Sequence, residues 1–379
     1  MSIAAGLCGA CTLLLWVRRP GLLPATPVAW PSLAWLLALV LAAWFAVDRA
    51  GSLPRITKAF FPLLVPLAAT HARLPGRARR ALAVLLVSSA LASLYGWVLY
   101  LARGAAWPAR ARGAAGHYMT FGGQLLIFVS VAAGIAALAR PRRWRWAAAA
   151  TALLGCATLL PTYTRSAWIG LSVSLGVLCG LTRPRWILAL VSILLLALVL
   201  APPSYRARAL SSFDPHHPTN VERTYMWQAG IAMFRDHPLT GVGLEDLRAV
   251  YDRYKLPQAR ERAGHLHNVP IQIAASMGLA GLIAWALLYT SLFAAATRGL
   301  RRTLAAGGIA AGLRAGVTGL LAGFLLAGLF EWNFGDEELL YPLFTLVGMA
   351  WAARSWDPEG PGGGTSPAAP ETPAGRNAG

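Results

Sequence analysis

Apolar residues in this chain do not alternate with polar ones. They gather into long runs separated by short polar breaks. The runs cover 3–17, 32–47, 59–70, 81–101, 118–138, 146–162, 166–181, 186–202, 269–296, 315–332 and 339–353. A hydrocarbon core about 30 Å thick calls for about 20 apolar residues in a helix, and several runs are of that length. Backbone polar groups in lipid have to be satisfied within the segment, so these runs predict helices and not strands. The first run is short for a full crossing, and the third, interrupted by Pro62 and Pro66, reads as kinked or re-entrant. The expectation is an all-α, polytopic transmembrane bundle of about eleven spans, within a range of about ten to twelve. The opening run ends at Arg18–Arg19–Pro20 without a small-residue cleavage site, so it is expected to stay in the protein.

The breaks differ in charge. Arg18 and Arg19; Arg73, Arg77, Arg79 and Arg80; Arg140, Arg142, Arg143 and Arg145; Arg183 and Arg185; Arg298, Arg301, Arg302 and Arg314; and Arg354 fall in alternate connections that hold no Asp or Glu. By the positive-inside rule these connections are cytoplasmic. The opposite, periplasmic side then carries Asp48, the loop 102–117, the tight turn Tyr163–Ser166, the long segment 203–268 and the acidic turn Glu331–Glu338. Four regions follow: N-terminal spans 1–202, a periplasmic loop domain 203–268, C-terminal spans 269–353 and a disordered cytoplasmic tail 354–379, rich in Pro, Gly and Ala. The loop domain has its own helical spacing. Val221–Asp236 places Tyr225, Met226, Ala229 and Met233 on one side and stops at His237–Pro238. Gly241-Val-Gly243 reads as a turn, and Glu245–Lys255 as a second short helix. A polar loop this long is more often functional than a mere connector.

Composition sharpens the class. Of 379 residues, 56% are hydrophobic and 13% charged, far from the quarter charged that is usual for soluble domains. The net charge of +19 does not indicate nucleic acid, because the Arg residues mark the ends of apolar runs and do not cover a soluble face. Cys8, Cys11, Cys156 and Cys179 lie inside apolar runs, where they read as small packing residues and not as a redox pair or disulfide framework.

A few polar residues stand out against this background. Arg165 lies between two apolar runs, in Pro161-Thr-Tyr-Thr-Arg165-Ser166. It reads either as a side chain snorkelling to the interface or as a fork of donors for phosphate oxygens. Arg223 follows Glu222 at the start of the first loop helix and reads equally as a surface ion pair or a site residue. His265, His267 and Asn268 lead straight into the run 269–296. No carboxylate or third His has metal-ligand spacing from them, so no metal is expected and proton transfer suits the pair better.

His267-Asn268 is followed after nine residues by Gly278-Leu-Ala-Gly281. With Thr164-Arg165-Ser166, Glu222-Arg223-x3-Trp227 and His237-Pro-Leu-Thr-Gly241-Val-Gly243, this pattern resembles the O-antigen ligase and polymerase superfamily of bacterial membrane glycan transferases. The resemblance spans about 160–350 by motif and the whole chain by topology, though members often have twelve spans. It implies transfer of a glycan from undecaprenyl diphosphate to an acceptor hydroxyl, with no cofactor, metal or nucleotide sugar. By the same resemblance His267 is the catalytic residue, Arg165 and Arg223 hold the diphosphate, and His265 and Asn268 support the site. The acidic turn Phe330–Asp336 is also similar to the family's, with helix capping as its simplest role.

The expected function is that of an O-antigen ligase. It would join glycan to lipid A–core at the periplasmic face of the inner membrane, by an inverting reaction, with membrane lipids around it and no nucleic acid. The shared motifs equally fit a glycan polymerase or a transferase acting on protein hydroxyls. A non-enzymatic transporter or flippase would call for charges inside spans and repeated halves, and neither is evident.

Overall fold

The computed structural model describes residues 2–105 and 109–356, so most of the expected C-terminal tail, 357–379, lies outside the described residues. It is all-helical, with no strand among the described residues. The N-terminal helices are α1 (Ser2–Arg18), α2 (Ala29–Trp44), the single turn α3 (Arg49–Ser52), α4 (Leu64–His71) and α5 (Pro75–Ala102). Then come α6 (Tyr118–Leu138), α7 (Arg142–Leu159), α8 (Arg165–Thr182) and α9 (Trp186–Leu200). The long segment contains α10 (Pro203–Leu210), α11 (Pro218–Asp236) and the one-turn α12 (Arg248–Tyr251). The chain closes with α13 (Val269–Thr297), α14 (Leu300–Ala306), α15 (Gly308–Ala327) and α16 (Glu337–Ala352). Five stretches are long and apolar enough to cross a membrane: α5, α6, α8, α13 running on into α14, and α15.

Every apolar run of the sequence therefore contains a helix, but three details differ from expectation. The helix expected over Glu245–Lys255 shrinks to α12, because Asp246 caps Arg248 with its side chain and the chain turns again before Pro257. An unanticipated helix, α10, opens the long segment. Arg314 is not a loop residue. It lies inside α15, fully buried, and donates to the carbonyls of Ala296 at 3.0 Å and Arg298 at 2.7 Å. It thereby satisfies the C-terminal carbonyls of α13 that no intrahelical donor reaches.

The bundle packs around α15. Gly312 and Gly316 bring it against α6, and Gly319 and Gly323 bring it against α8. A methyl group on Gly316 would fall 2.8 Å from the Ser130 carbonyl oxygen, and one on Gly323 would fall 2.2 Å from that of Gly170. Small residues permit this approach where lipid supplies no hydrophobic driving force. By contrast α9 buries none of its residues and leads straight into α10.

The long segment is fastened to the bundle at a break in α13. Gly278 has φ 60° and ψ −156°, which interrupts the helical ladder. The segment after α11 lies in the break. Leu279 and Ala280 donate to the carbonyls of Pro238 and Leu239, while Val242 and Gly243 donate to those of Ala275 and Ser276, at 2.8–3.2 Å. Four backbone bonds replace those the kink removes. Gly241 is needed for the approach, since its methyl equivalent would sit 2.3 Å from the Met277 nitrogen. The glycines of the sequence pattern thus serve as the docking joint between loop segment and bundle.

Candidate functional site

The joint fixes the start of α13, and the candidate residues precede it. Leu266 is fully buried, its N–H donating to Gln272 Oε1 at 2.8 Å and its carbonyl accepting from Trp227 Nε1 at 3.0 Å. Asn268 caps α13 by accepting from the Ile271 N–H at 2.9 Å. Its amide also donates to the Leu329 carbonyl at 2.9 Å, and the Val269 N–H bonds the Gly328 carbonyl at 2.7 Å. The short strap 265–269 is thereby tied to the turn between α15 and α16. Within it His267 has φ 48°, a left-handed conformation that costs free energy for a residue with a Cβ. Surrounding contacts hold it there.

That turn carries Glu331, whose Oε1 accepts from His267 Nδ1 at 3.0 Å and from the Trp332 N–H at 3.0 Å. His265 Nε2 lies 3.5 Å from the same oxygen, and Arg223 lies 3.9 Å from Oε2. The two imidazole rings are 4.3 Å apart. Burial alone would push the Glu331 carboxyl up, but the hydrogen bonds and charge of His265 and His267 outweigh it. They hold the group well below the ordinary carboxylate range. A carboxylate can only accept, so Nδ1 of His267 carries the proton of this hydrogen bond, and in the neutral ring that tautomer makes Nε2 the acceptor.

These groups face a cavity of about 450 Å³, whose other walls include Tyr118, Thr219 and Asp336. Arg223 is 12% exposed at its side chain. Burial lowers its guanidinium pKa from the usual value, and Glu331 opposes that shift. Glu222 is not its ion-pair partner: the carboxylate accepts from the backbone N–H groups of Arg260 and Glu261. The capping role of the acidic turn falls to Asp336, which accepts from the Glu338 N–H, and not to Glu331.

Arg165 occupies the first turn of α8 and is buried, 6% exposed. It donates to the Ser211 carbonyl at 2.8 Å and hydroxyl at 3.1 Å, and to Asn220 Oδ1 at 2.8 Å. It therefore does not snorkel; it clamps α10 to α11. Beyond Ser211 lies a second, more open cavity of about 740 Å³ that Arg110 and Arg208 line. Burial and the neighbouring Arg110 lower the pKa of Arg208.

Sequence reasoning singled out His267, His265, Asn268, Arg223 and Arg165. The structure joins His267, His265 and Arg223 around Glu331, ties Asn268 to Leu329 in the same turn and sets Arg165 apart. It also supplies the carboxylate that sequence spacing did not reveal. His265, His267 and Glu331 offer ligand atoms all within 4.8 Å of one another, a set that could hold a divalent cation. Arg223 already places a positive charge beside that carboxylate.

None of the curated proteins matches the chain. Residues 149–286, which include Arg165, Arg223, His267 and the glycine joint, match the family model described as O-antigen ligase. Together with the apolar helices, that match identifies a membrane protein and places this stretch of the chain in the O-antigen ligase superfamily of glycosyltransferase-like membrane enzymes.

Proposed function

We propose that the protein is an O-antigen ligase that transfers a glycan from undecaprenyl diphosphate to lipid A–core on the periplasmic side of the inner membrane. The observation that carries this reading is His267, held in a left-handed backbone conformation with Nδ1 on Glu331 and its ring in the cavity beside Arg223. The arrangement suits general-base chemistry. The acceptor hydroxyl attacks the anomeric carbon, the bond from that carbon to the diphosphate oxygen breaks, and the electron pair leaves with undecaprenyl diphosphate. Nε2 of His267 takes the hydroxyl proton, and Glu331 stabilises the imidazolium that forms. Attack opposite the leaving group inverts the anomeric configuration.

Arg165 and Arg223 belong to the cationic side of the site and offset the charge that develops on the diphosphate. Arg223 does so from the cavity wall and Arg165 from behind Ser211. His265 shares Glu331 with His267, and Asn268 fixes the strap. Arg223 beside Glu331 supplies the positive charge that a divalent cation would otherwise bring, so the reaction is metal-independent.

The test is purified protein in detergent with undecaprenyl-diphosphate-linked glycan and lipid A–core. Glycosylated lipid A–core is expected as product, with activity unchanged after EDTA. Glycan lengthened on its lipid carrier would make the protein a polymerase, and glycosylated protein would make it a protein transferase. Activity lost to EDTA and restored by Mg²⁺ or Mn²⁺ would overturn the metal-free mechanism.

A further inference from the structure

The carboxylate that joins the strap to the acidic turn is only half used. Glu331 Oε1 accepts from His267 Nδ1 and lies 3.5 Å from His265 Nε2, but Oε2 is buried without a hydrogen-bond partner. The Arg223 guanidinium stands 3.9 Å from Oε2, outside hydrogen-bonding distance. Two imidazole nitrogens and a carboxylate oxygen therefore converge within 4.8 Å of one another.

Their spacing suits one ion in particular. Tetrahedral ligands about 2.0–2.1 Å from zinc lie about 3.3 Å from one another. The separations from Glu331 Oε1, 3.0 Å to His267 Nδ1 and 3.5 Å to His265 Nε2, bracket that value. Two imidazoles and one carboxylate form a donor set that holds zinc with a fourth position open. Magnesium and calcium call for more oxygen ligands than this site offers. All three residues line the cavity of about 450 Å³, which gives an ion an entry path and leaves room for water in the fourth position. His265, 40% exposed at its side chain, has space to turn onto the ion.

We propose that His265, His267 and Glu331 form an inhibitory zinc site in the transferase. Zinc bonds to Nδ1 of His267 through its lone pair, so the proton of the neutral ring has to sit on Nε2. In that tautomer Nε2 donates and no longer takes the proton of an acceptor hydroxyl. The ring neither gains nor loses a proton; the proton changes nitrogen, and the base is silenced. Binding follows from the ligand geometry alone, whereas the inhibition rests on the transferase reading above. Arg223 counts against the ion, because the two cations share one carboxylate.

The experiment titrates zinc chloride, and separately magnesium chloride, into metal-free full-length protein in detergent by calorimetry, and follows glycan transfer at each zinc concentration. Zinc should fill a single site that magnesium does not fill. Transfer should fall as that site fills and return when EDTA removes the ion. His265→Ala and Glu331→Gln should each weaken zinc binding by about 10-fold or more, since even the outer partners of metal ligands are worth that much. Arg223→Gln should tighten it, because the competing charge is gone. This gain decides the matter if a ligand variant fails to fold. Zinc binding that is absent, or that all three variants leave unchanged, would overturn the inference and leave the transferase reading intact. Zinc bound as expected with transfer undiminished would overturn the inhibition, and with it the role of His267 Nε2 as base. An enzyme that is inactive without metal and activated by zinc would overturn both.

Discussion

Two groups of charge meet at one end of this bundle and differ in their composition. Around Glu331, one buried carboxylate is shared by His265, His267 and Arg223, so the group is complete within the chain. Around Ser211, Arg110, Arg165 and Arg208 approach one another with a single carboxylate, Asp214, on the cavity wall. A cluster with an internal counter-ion is organised before any ligand arrives, as a proton-transfer group needs to be. A cluster of like charges instead has its guanidinium pKa values lowered by its neighbours, as at Arg208 beside Arg110. The two differ in kind: the first is built around a carboxylate, the second around backbone and amide acceptors such as the Ser211 carbonyl and Asn220 Oδ1.

The largest effect should come from the balanced group. His267→Ala should yield a folded, normally inserted protein whose transfer rate falls about 10²–10⁴-fold, the usual contribution of a general base. His265→Ala should be milder, because its Nε2 is the more distant partner of Glu331. If His267 only preceded the cap of α13, His267→Asn would retain activity. A His267→Ala protein working near the wild-type rate, at an unchanged thermal midpoint, would remove the distinction between the two clusters.

Glu331→Gln should come next, with a fall in transfer of about 10- to 100-fold, as for other groups that orient a functional histidine. It also has a stability signature. The folded-state carboxyl is held below its ordinary value near 4.5. Its contribution is therefore present above that value and is lost as pH falls through the lower, folded-state value. The gap in thermal midpoint between wild type and Glu331→Gln should be steady at neutral pH and narrow below about pH 4.5. A gap that widens toward acid would mean that Glu331 is not held as a carboxylate by its histidines.

Much of this was legible in the sequence, for identifiable reasons. The helices were visible because a run of apolar residues in lipid has one backbone solution, and every run found a helix. The strap was visible as His265, His267 and Asn268 before an apolar run, and the glycine pattern as a spacing. The purpose of that spacing was not visible: Gly241 and Gly278 matter because two distant backbones touch there. The acidic turn Phe330–Asp336 was visible, but the pairing of its Glu331 with His267 was not, because the two lie 64 residues apart and only the packing of the C-terminal helices brings them together. Arg165 was found, but its attachment to Ser211 and Asn220 depends on α10, a helix whose few residues show no strong period.

Arg165→Lys should have an intermediate effect that tests the cationic group. A lysine ammonium is a point charge and cannot serve Ser211 and Asn220 in the planar geometry of a fork. The charge survives while the clamp between α10 and α11 loosens. Transfer should fall about tenfold, with faster proteolysis between α10 and α11 than in wild type. Equal loss of activity with unchanged proteolysis would make Arg165 a direct ligand of the substrate and not a clamp between α10 and α11.

The smallest expected effect is at Asn268, and it separates the two duties of one side chain. Oδ1 caps α13 through the Ile271 N–H, while Nδ2 ties the strap to the Leu329 carbonyl. Asn268→Asp keeps an acceptor for the cap but loses the donor, and it places a second carboxylate near Leu329 and the turn that carries Glu331. Asn268→Ala loses both functions and should cost about 1 kcal/mol, the usual cost of removing a cap. If only the cap mattered, the aspartate variant would match wild type in stability and in rate. If the tie positions His267, the aspartate variant should keep most of its stability yet lose transfer activity several-fold, because small displacements at a reacting group are costly. Thermal midpoint and transfer rate measured on the same preparations distinguish these cases. An aspartate variant with wild-type activity would show that the helix cap alone suffices to hold His267 on Glu331.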